Sequence, residues 1–342
     1  MPDGHDIRPL VSPPYGSPSA GQDRPDGSLV PSEEAVAAAL ARHAHAARGA
    51  YAANTERALR ADTAVFAGWC STAGLECLPA RPGTVAAFVD VMGEMKAPAT
   101  VRRYLSSVAA MHRAAGLPNP CADEAVRLAL KRLHRVKGRA QAQAAPLTRD
   151  RVDRMLAAAG TDPRGLRNRA LLAVAYDSLC RRSELVALQC RDVEDGSHGD
   201  GTLTLRRSKT DAEGRGAVRY LAADTMRTVR AWLEAARHMD GALFRAVGKG
   251  GTVGGQLDPG DVARVFKEMA AAAGDGREAV AEVSGHSSRV GAAQDQVRYG
   301  VGLPAVMQAG GWTTPTMVAR YTAKLDARRS GSAKLAILQN RV

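Results

Sequence analysis

A break in the pattern of the chain at residues 138–145 limits the folds open to it more than any other feature. This stretch, GRAQAQAA, has neither the large aliphatic residues of a packed element nor the chemistry of a turn. Regular apolar patterns lie on both sides of it, and 342 residues exceed the length at which one hydrophobic core usually keeps growing. We therefore predict two domains, at 32–137 and 147–326, joined by a linker over 138–146.

The first domain is predicted to be a compact bundle of five helices. Ser32 before Glu33 and Glu34 is typical of a helix start. The predicted helices lie at about 33–48, 55–73, 84–95, 99–115 and 122–137. Residues 1–31 repeat Pro, Gly, Ser and Asp and contain few aliphatic residues, a composition that cannot bury enough surface to offset ordering entropy. We expect a disordered tail there.

The second domain is predicted to be mainly helical with one small antiparallel sheet. Its two strands are expected at 201–208 and 216–221, where apolar and polar residues alternate. Its helices are expected at about 148–159, 163–180, 182–188, 223–237, 258–273, 285–299, 303–309 and 314–325. A last amphipathic helix at about 328–338 lies in the C-terminal segment 327–342, behind a Gly-Ser tether.

Candidate catalytic residues recur along the second domain. His286 and Arg289 are three apart, which places them on one face of a helix, and a guanidinium beside an imidazole suits the oxygens of a phosphoryl group. A lone His-x-x-Arg is more often a solvated helix face. Here other candidate residues accompany the motif, because Arg181 follows an apolar helix and Glu184 lies three residues after Arg181. Further members of the set are Lys209, near the end of the first strand, and Trp312 and Tyr321 downstream.

This order of residues resembles the tyrosine recombinases, or phage integrase family. Its members carry an Arg, a hairpin Lys, a His-x-x-Arg, a His or Trp, and a Tyr in sequence. Here the positions are Arg181, Lys209, His286, Arg289, Trp312 and Tyr321. The resemblance covers roughly residues 32–326 and implies a site-specific DNA recombinase. It also implies a mainly α fold, in which a helical core-binding bundle precedes a mostly helical catalytic domain with a small antiparallel β-sheet.

The resemblance implies a division of labour among these side chains. Tyr321 is the expected nucleophile, forming a 3′-phosphotyrosine, and Arg181 and Arg289 stabilise the charge that develops on the phosphate. Lys209 is the expected general acid for the 5′-hydroxyl, with Lys249 as the competing lysine.

His286 assists proton transfer or hydrogen-bonds the phosphate, and Trp312 orients and packs. Glu184 is expected to hold Arg181 or His286 by hydrogen bonding. Clusters of acidic ligands are missing, so neither a metal nor another cofactor is expected.

The charge of the chain favours double-stranded DNA as the partner. The net charge is +12 and arginine far outnumbers lysine, which suits phosphate and guanine contacts, although a GC-rich genome also enriches arginine. The candidate DNA-binding residues are Arg57, Arg60, Thr100, Arg102 and Arg103 in the bundle, and Arg264 and Lys267 in the second domain. Each is individually as compatible with solvated surface.

The family resemblance also implies an oligomeric state and a cellular location. We expect a homotetramer on two inverted-repeat sites, monomeric or weakly associated when free, with the C-terminal helix docked on a neighbour or folded back on its own domain. No apolar run reaches the length of a membrane span, and the five cysteines form no C-x-x-C pair. A cytoplasmic, DNA-associated protein of a bacterium, encoded by a phage or plasmid, is expected. The alternatives are a telomere resolvase, a type IB topoisomerase and an inactive DNA-binding protein.

Overall fold

The chain folds into two compact units, Met1–Gln141 and Ala142–Val342, and each is described by itself. The computed structural model describes residues 32–139, 143–206, 216–328 and 330–341. The predicted tail at 1–31, residues 140–142 of the predicted linker, and Lys209 lie outside the described residues.

The first unit is a bundle of five α-helices, as the sequence predicts. They are α1 (Glu33–Ala46), α2 (Ala53–Thr72), α3 (Pro82–Met95), α4 (Pro98–Ala114) and α5 (Glu124–Lys137), with a short 3-10 turn at Pro120–Ala122. The core is aromatic at its centre, where the rings of Phe66 and Phe88 meet edge to face with centroids 5.0 Å apart.

One buried carboxylate ties α2 to α4. Asp62 accepts a hydrogen bond of 3.0 Å from the Ser107 hydroxyl, and its other oxygen lies 2.9 Å from the guanidinium of Arg103. A buried carboxylate without such partners would be costly, so these two contacts fix the register of the helices.

The second unit contains ten α-helices and five short strands among its described residues. The helices are α6 (Arg149–Ala158), α7 (Pro163–Ser178), α8 (Arg182–Ala187), α9 (Ala223–Ala236), α10 (Asp261–Ala272), α11 (Arg277–Ala281), α12 (Ser287–Arg298), α13 (Leu303–Gly310), α14 (Thr316–Arg328) and α15 (Gly331–Leu338). The strands are β1 (Val193–Asp195), β2 (Gly201–Leu205), β3 (Ala217–Leu221), β4 (Arg245–Val247) and β5 (Val253–Gln256).

The predicted mainly helical fold with a small antiparallel sheet is confirmed, but the second unit has two such sheets instead of one. Strands β1, β2 and β3 form one antiparallel sheet, and β4 and β5 form a separate antiparallel hairpin. The hairpin escaped prediction because its strands have only three and four residues and enclose a glycine-rich turn. Such short segments carry too little alternation to be distinguished from a loop.

Two predicted helix ends differ from the structure in ways that matter for the site. Helix α7 ends at Ser178, because Leu179 adopts a left-handed conformation with φ of 50°. Helix α12 begins at Ser287, so His286 precedes the helix instead of lying within it. The prediction that His286 and Arg289 share a helix face is therefore wrong in detail, although both remain at the start of α12.

Helix α7 is the central element of the second unit. Leu171, Leu172 and Val174 are fully buried on different sides of it, and α9 and α12 pack against it. On α9, Trp232 is also fully buried, and its indole N–H donates to the Leu243 carbonyl at 2.8 Å. A helix enclosed in this way is a rigid support for the residues that follow its C-terminal end.

A close backbone contact between residue 147 and α12 offers a test of this packing. A Cβ added to Gly291 would lie 1.8 Å from the carbonyl oxygen of Leu147, where no side chain can move aside. We expect Gly291→Ala to lower the free energy of unfolding by about 2 kcal/mol or more. Chemical denaturation measures the change, and Gly250→Ala, whose added Cβ has open space around it, is the control. Equal stability of the two variants would contradict this contact.

Candidate active site

Arg181 is held in place by the turn between α7 and α8. The left-handed Leu179 redirects the chain, and Arg181 then caps the start of α8. Its backbone N–H donates to one carboxylate oxygen of Glu184 at 2.8 Å, and its guanidinium donates to the other at 2.6 Å. Glu184 is buried, so the predicted supporting role of this carboxylate corresponds to an observed double contact.

Arg289, on the first turn of α12, is almost completely enclosed. Its two terminal nitrogens donate to the carbonyls of Leu179 and Gly310, and it forms no ion pair with a carboxylate among the described residues. Burial, followed by the charge of Arg181, lowers the pKa of Arg289. A guanidinium keeps its proton even so. Two neighbouring guanidiniums with one carboxylate between them leave an excess of positive charge that an anion would relieve.

Trp312 and Tyr321 form an aromatic wall beside Arg289. The guanidinium carbon of Arg289 lies 4.5 Å from the centre of the indole, and the indole meets the phenol ring of Tyr321 at a centroid distance of 5.7 Å. Gly310 makes this possible, because a Cβ at that position would lie 2.2 Å from the indole. The backbone carbonyl of Tyr321 accepts a hydrogen bond from the amide of Gln294 at 2.8 Å, which fixes α14 to α12.

His286 lies at the open side of this group. His286 is exposed, and the backbone N–H of this residue donates to the Ser284 hydroxyl at 3.2 Å. Partial desolvation, and after it the positive charges of Arg289 and Arg182, lower the pKa of His286. The imidazole is therefore neutral at neutral pH and able to accept a proton.

Two residues near the site were missed by sequence reasoning. Arg219 lies on β3, on the same face as the buried Leu221, and burial lowers its pKa. The buried thiol of Cys180 lies near both Arg219 and Arg289, yet burial raises its pKa to about 12, so it stays protonated. An arginine on the inward face of an alternating strand is the signal that could have identified Arg219.

The predicted DNA-binding residues are on the surface, several of them in ion pairs. Arg57 donates to Asn54, Arg60 lies 3.6 Å from Glu56, and Arg103 pairs with Asp62 as described above. Arg102 is exposed and Thr100 half-buried on α4. On α10, Arg264 contacts both Asp261 and Glu268, while Lys267 is half-buried. Their contact with DNA stays a prediction.

The described ranges contain neither a candidate metal cluster nor a candidate membrane span. No group of three or more His, Cys, Asp or Glu side chains is placed to hold a metal ion there. No helix in the same ranges is long and apolar enough to cross a membrane. All five cysteines are free thiols.

The geometry agrees with what sequence comparison finds. A profile of the Phage integrase family matches residues 146–328, which is more than half of the chain. The chain therefore belongs to the phage integrase family. It is a site-specific recombinase of the tyrosine class, an enzyme that cleaves and rejoins DNA.

Two curated relatives match over most of their length. Recombinase cre of Escherichia phage P1 is 28% identical over 305 residues, covering 84% of this chain and 89% of that protein. An integrase/recombinase xerD homolog of Selenomonas ruminantium is 29% identical over 280 residues, covering 78% of this chain and 81% of the homolog.

Among solved structures, the Tn1549 transposon integrase in complex with circular intermediate DNA superposes with a TM-score of 0.61. That likeness covers 84% of this chain and 94% of the other at 16% identity, so it shows a shared fold.

The electrostatic environment of His286 can be tested by titration. Arg182→Gln removes one of the cations that disfavour the imidazolium, so we expect the pKa of His286 to rise toward its ordinary value. Histidine-selective NMR titration measures it, with the resonance assigned through His286→Asn. Arg154→Gln, which removes an arginine paired with Asp275, is the control and should leave the pKa in place. An unchanged pKa in Arg182→Gln would show that the charge of Arg182 does not lower the pKa of His286.

Proposed function

We propose that the enzyme cleaves each DNA strand with Tyr321 and rejoins it through a 3′-phosphotyrosine and a Holliday junction. The observation that carries this proposal is the convergence of Arg181 and Arg289 beside Tyr321, with Glu184 fixing one of the two arginines. Two guanidiniums can give directed hydrogen bonds to the non-bridging oxygens, whose charge grows in the transition state.

In the proposed cleavage step, the Tyr321 oxygen bonds to phosphorus as the bond from phosphorus to the 5′-oxygen breaks. The neutral His286 imidazole accepts the phenolic proton or hydrogen-bonds the phosphate, and Lys209 supplies the proton that the leaving 5′-oxygen takes. Trp312 has only an indole N–H to donate, so it positions Arg289 and the phosphate and transfers no proton. The joining step reverses this sequence with a 5′-hydroxyl from the other duplex.

The two units divide DNA binding in this proposal. The helical bundle at 32–137 is the core-binding domain, 138–146 is the linker and 147–326 is the catalytic domain. Arg57, Arg60, Thr100, Arg102 and Arg103 of the bundle and Arg264 and Lys267 of α10 contact an inverted-repeat site. The net charge of +12 supports an encounter with a polyanion in the cytoplasm of a bacterium.

Assembly into a tetramer on two sites is proposed through α15. The hydroxyl of Ser330 caps this short helix, and no residue on it is buried. Leu335, Ile337 and Leu338 are 49%, 60% and 81% exposed, which is unusual for large aliphatic side chains so close together. A helix of this length is unstable alone in water, which favours an apolar partner surface on a neighbouring subunit. The solved lambda integrase tetramer bound to a Holliday junction shares the fold, with a TM-score of 0.57 at 17% identity.

Tyr321→Phe tests the nucleophile. Duplexes bound by the wild type are first selected from a random library, and a suicide substrate built on them traps the covalent intermediate. We expect Tyr321→Phe to bind this DNA like the wild type but to form no adduct, because only the nucleophilic oxygen is lost. Tyr299→Phe, at an exposed position, is the control and should form adduct normally. Adduct at wild-type yield in Tyr321→Phe would sink the proposed mechanism.

Ending the chain after Arg328 tests the assembly. This truncation preserves all of α14 and Tyr321 but removes three apolar side chains, whose burial contributes about 5 kcal/mol before ordering costs. We expect normal binding to a half-site and loss of cooperative binding to a full site in gel-shift titration. Lys334→Ala, which changes α15 without removing its apolar residues, is the control. Undiminished cooperativity in the truncated chain would mean that α15 folds back on its own domain.

A further inference from the structure

A second group of arginines lies at the end of α7 remote from Arg181. There a pocket of about 80 Å³ opens between the start of α7, strand β4 and the start of α10. Arg164, Arg167 and Arg264 line it, together with Asp261. We propose that this pocket binds a DNA backbone phosphate other than the one that is cleaved, an inference that rests on the proposed function.

Arg167 is the centre of the pocket. It is only 3% exposed, yet its partners are uncharged. Its Nε donates to the Asn168 side-chain oxygen at 2.8 Å, and its Nη1 donates to the Arg245 carbonyl at 3.2 Å. Burial, followed by the charges of Arg264 and Arg164, lowers the pKa of Arg167 to about 10, so it remains charged at neutral pH. Two carboxylates of α10 offset only part of the positive charge of this arginine cluster, and an anion in the pocket would stabilise the buried cation further.

Strand β4 orients two of the three guanidiniums. Its carbonyl at Arg245 accepts from Arg167, and its carbonyl at Val247 accepts from Arg164 at 3.1 Å. These carbonyls hold the side chains without neutralising them, so the N–H groups of Arg164 and Arg167 that have no partner in the described part of the chain can bind an oxyanion.

Arg264 is the third cation of the pocket, and its charge is shared with two carboxylates. It lies 2.9 Å from Asp261 and 2.8 Å from Glu268. Three cations and two carboxylates leave a net positive charge, and Asp261 is the group at the pocket that opposes an anion.

The size and position of the pocket favour a single phosphate group of a duplex. Its volume is several times the roughly 10–15 Å³ that one water needs, but it is too small for a nucleotide base with its sugar. From Arg167 to the end of α7 at Ser178 the helix rises by roughly 16 Å, at about 1.5 Å per residue. That distance corresponds to about five base pairs of B-DNA, at about 3.4 Å each. The pocket and the cleavage site would therefore hold different phosphates of one site, with the enclosed α7 as the spacer.

Salt-dependent DNA binding tests the pocket. Anisotropy titrations of a mixed-sequence duplex are carried out over a range of NaCl concentrations with wild type, Arg164→Gln and the control Arg230→Gln. The control substitution removes the same charge from α9, where Arg230 pairs with Asp195. We expect the slope of log affinity against log salt to fall by about 0.9 in Arg164→Gln. Between about 50 and 200 mM salt, this variant should then lose roughly threefold less affinity than the wild type. Equal slopes in Arg164→Gln and Arg230→Gln would overturn the proposal.

A second variant is expected to raise DNA affinity, an effect that loss of folded protein cannot produce. Asp261→Asn removes the opposing carboxylate and frees Arg264 from one of its two ion pairs, so we expect DNA affinity at low salt to rise severalfold. Weaker or unchanged binding would count against the pocket. Inorganic phosphate distinguishes the source of the anion: if it raises the Tm of the wild type but not of Arg164→Gln, while the DNA slopes are equal, the pocket binds a free anion and the DNA assignment is wrong.

Covalent adduct formation separates this inference from the proposed function. If the wild type forms a Tyr321 adduct but Arg164→Gln keeps the wild-type slope, the pocket fails and the recombination mechanism stands. If no adduct forms but the slope falls, the mechanism fails and the phosphate site stands.

Discussion

The second unit depends on one buried guanidinium. Arg289 donates to the carbonyls of Leu179, at the end of α7, and Gly310, at the end of α13, and lies against the face of Trp312. Two segments, at residue 179 and at residues 310–312, are therefore held by a single side chain of α12. Because these partners are carbonyls and a π face, they position the cation and leave its charge uncompensated. The same contacts that maintain the fold keep the site attractive to an anion.

Sequence patterns predicted the helices and selected the candidate catalytic residues because both rest on local information. Apolar spacing identifies α7, and the order of Arg181, Arg289 and Tyr321 is a property of the chain itself. The hairpin of β4 and β5 was missed, since strands of three and four residues beside glycines carry almost no period. The contact partners of individual side chains could not be predicted from the sequence. Nothing near Arg103 in the sequence reveals that it pairs with Asp62 on another helix, and nothing near Arg167 reveals the carbonyl of β4.

The start of α12 is also set by side-chain contacts that sequence patterns do not reveal. Ser284 and Ser287 surround His286, and the Ser284 backbone N–H donates to the Ser287 hydroxyl at 2.9 Å. These short contacts compete with helical hydrogen bonds and delay the helix until Ser287. Residue type alone places a helix in this region, but the side-chain geometry decides its first residue. In consequence, the imidazole stands at the mouth of the site while Arg289 is enclosed within it.

The contact between Gly291 and Leu147 has a mechanical consequence. The Leu147 N–H donates to the Ser287 carbonyl at 3.0 Å, and its own carbonyl lies directly over Gly291, so the chain leaving the linker is seated on the first two turns of α12. Arg289 lies between these two anchor points. A force transmitted along the segment before Leu147 would therefore act on α12, the helix that carries the buried guanidinium. In the proposed mechanism, tension in the connection between the two units would therefore change how Arg289 holds the DNA phosphate, with no change within either unit.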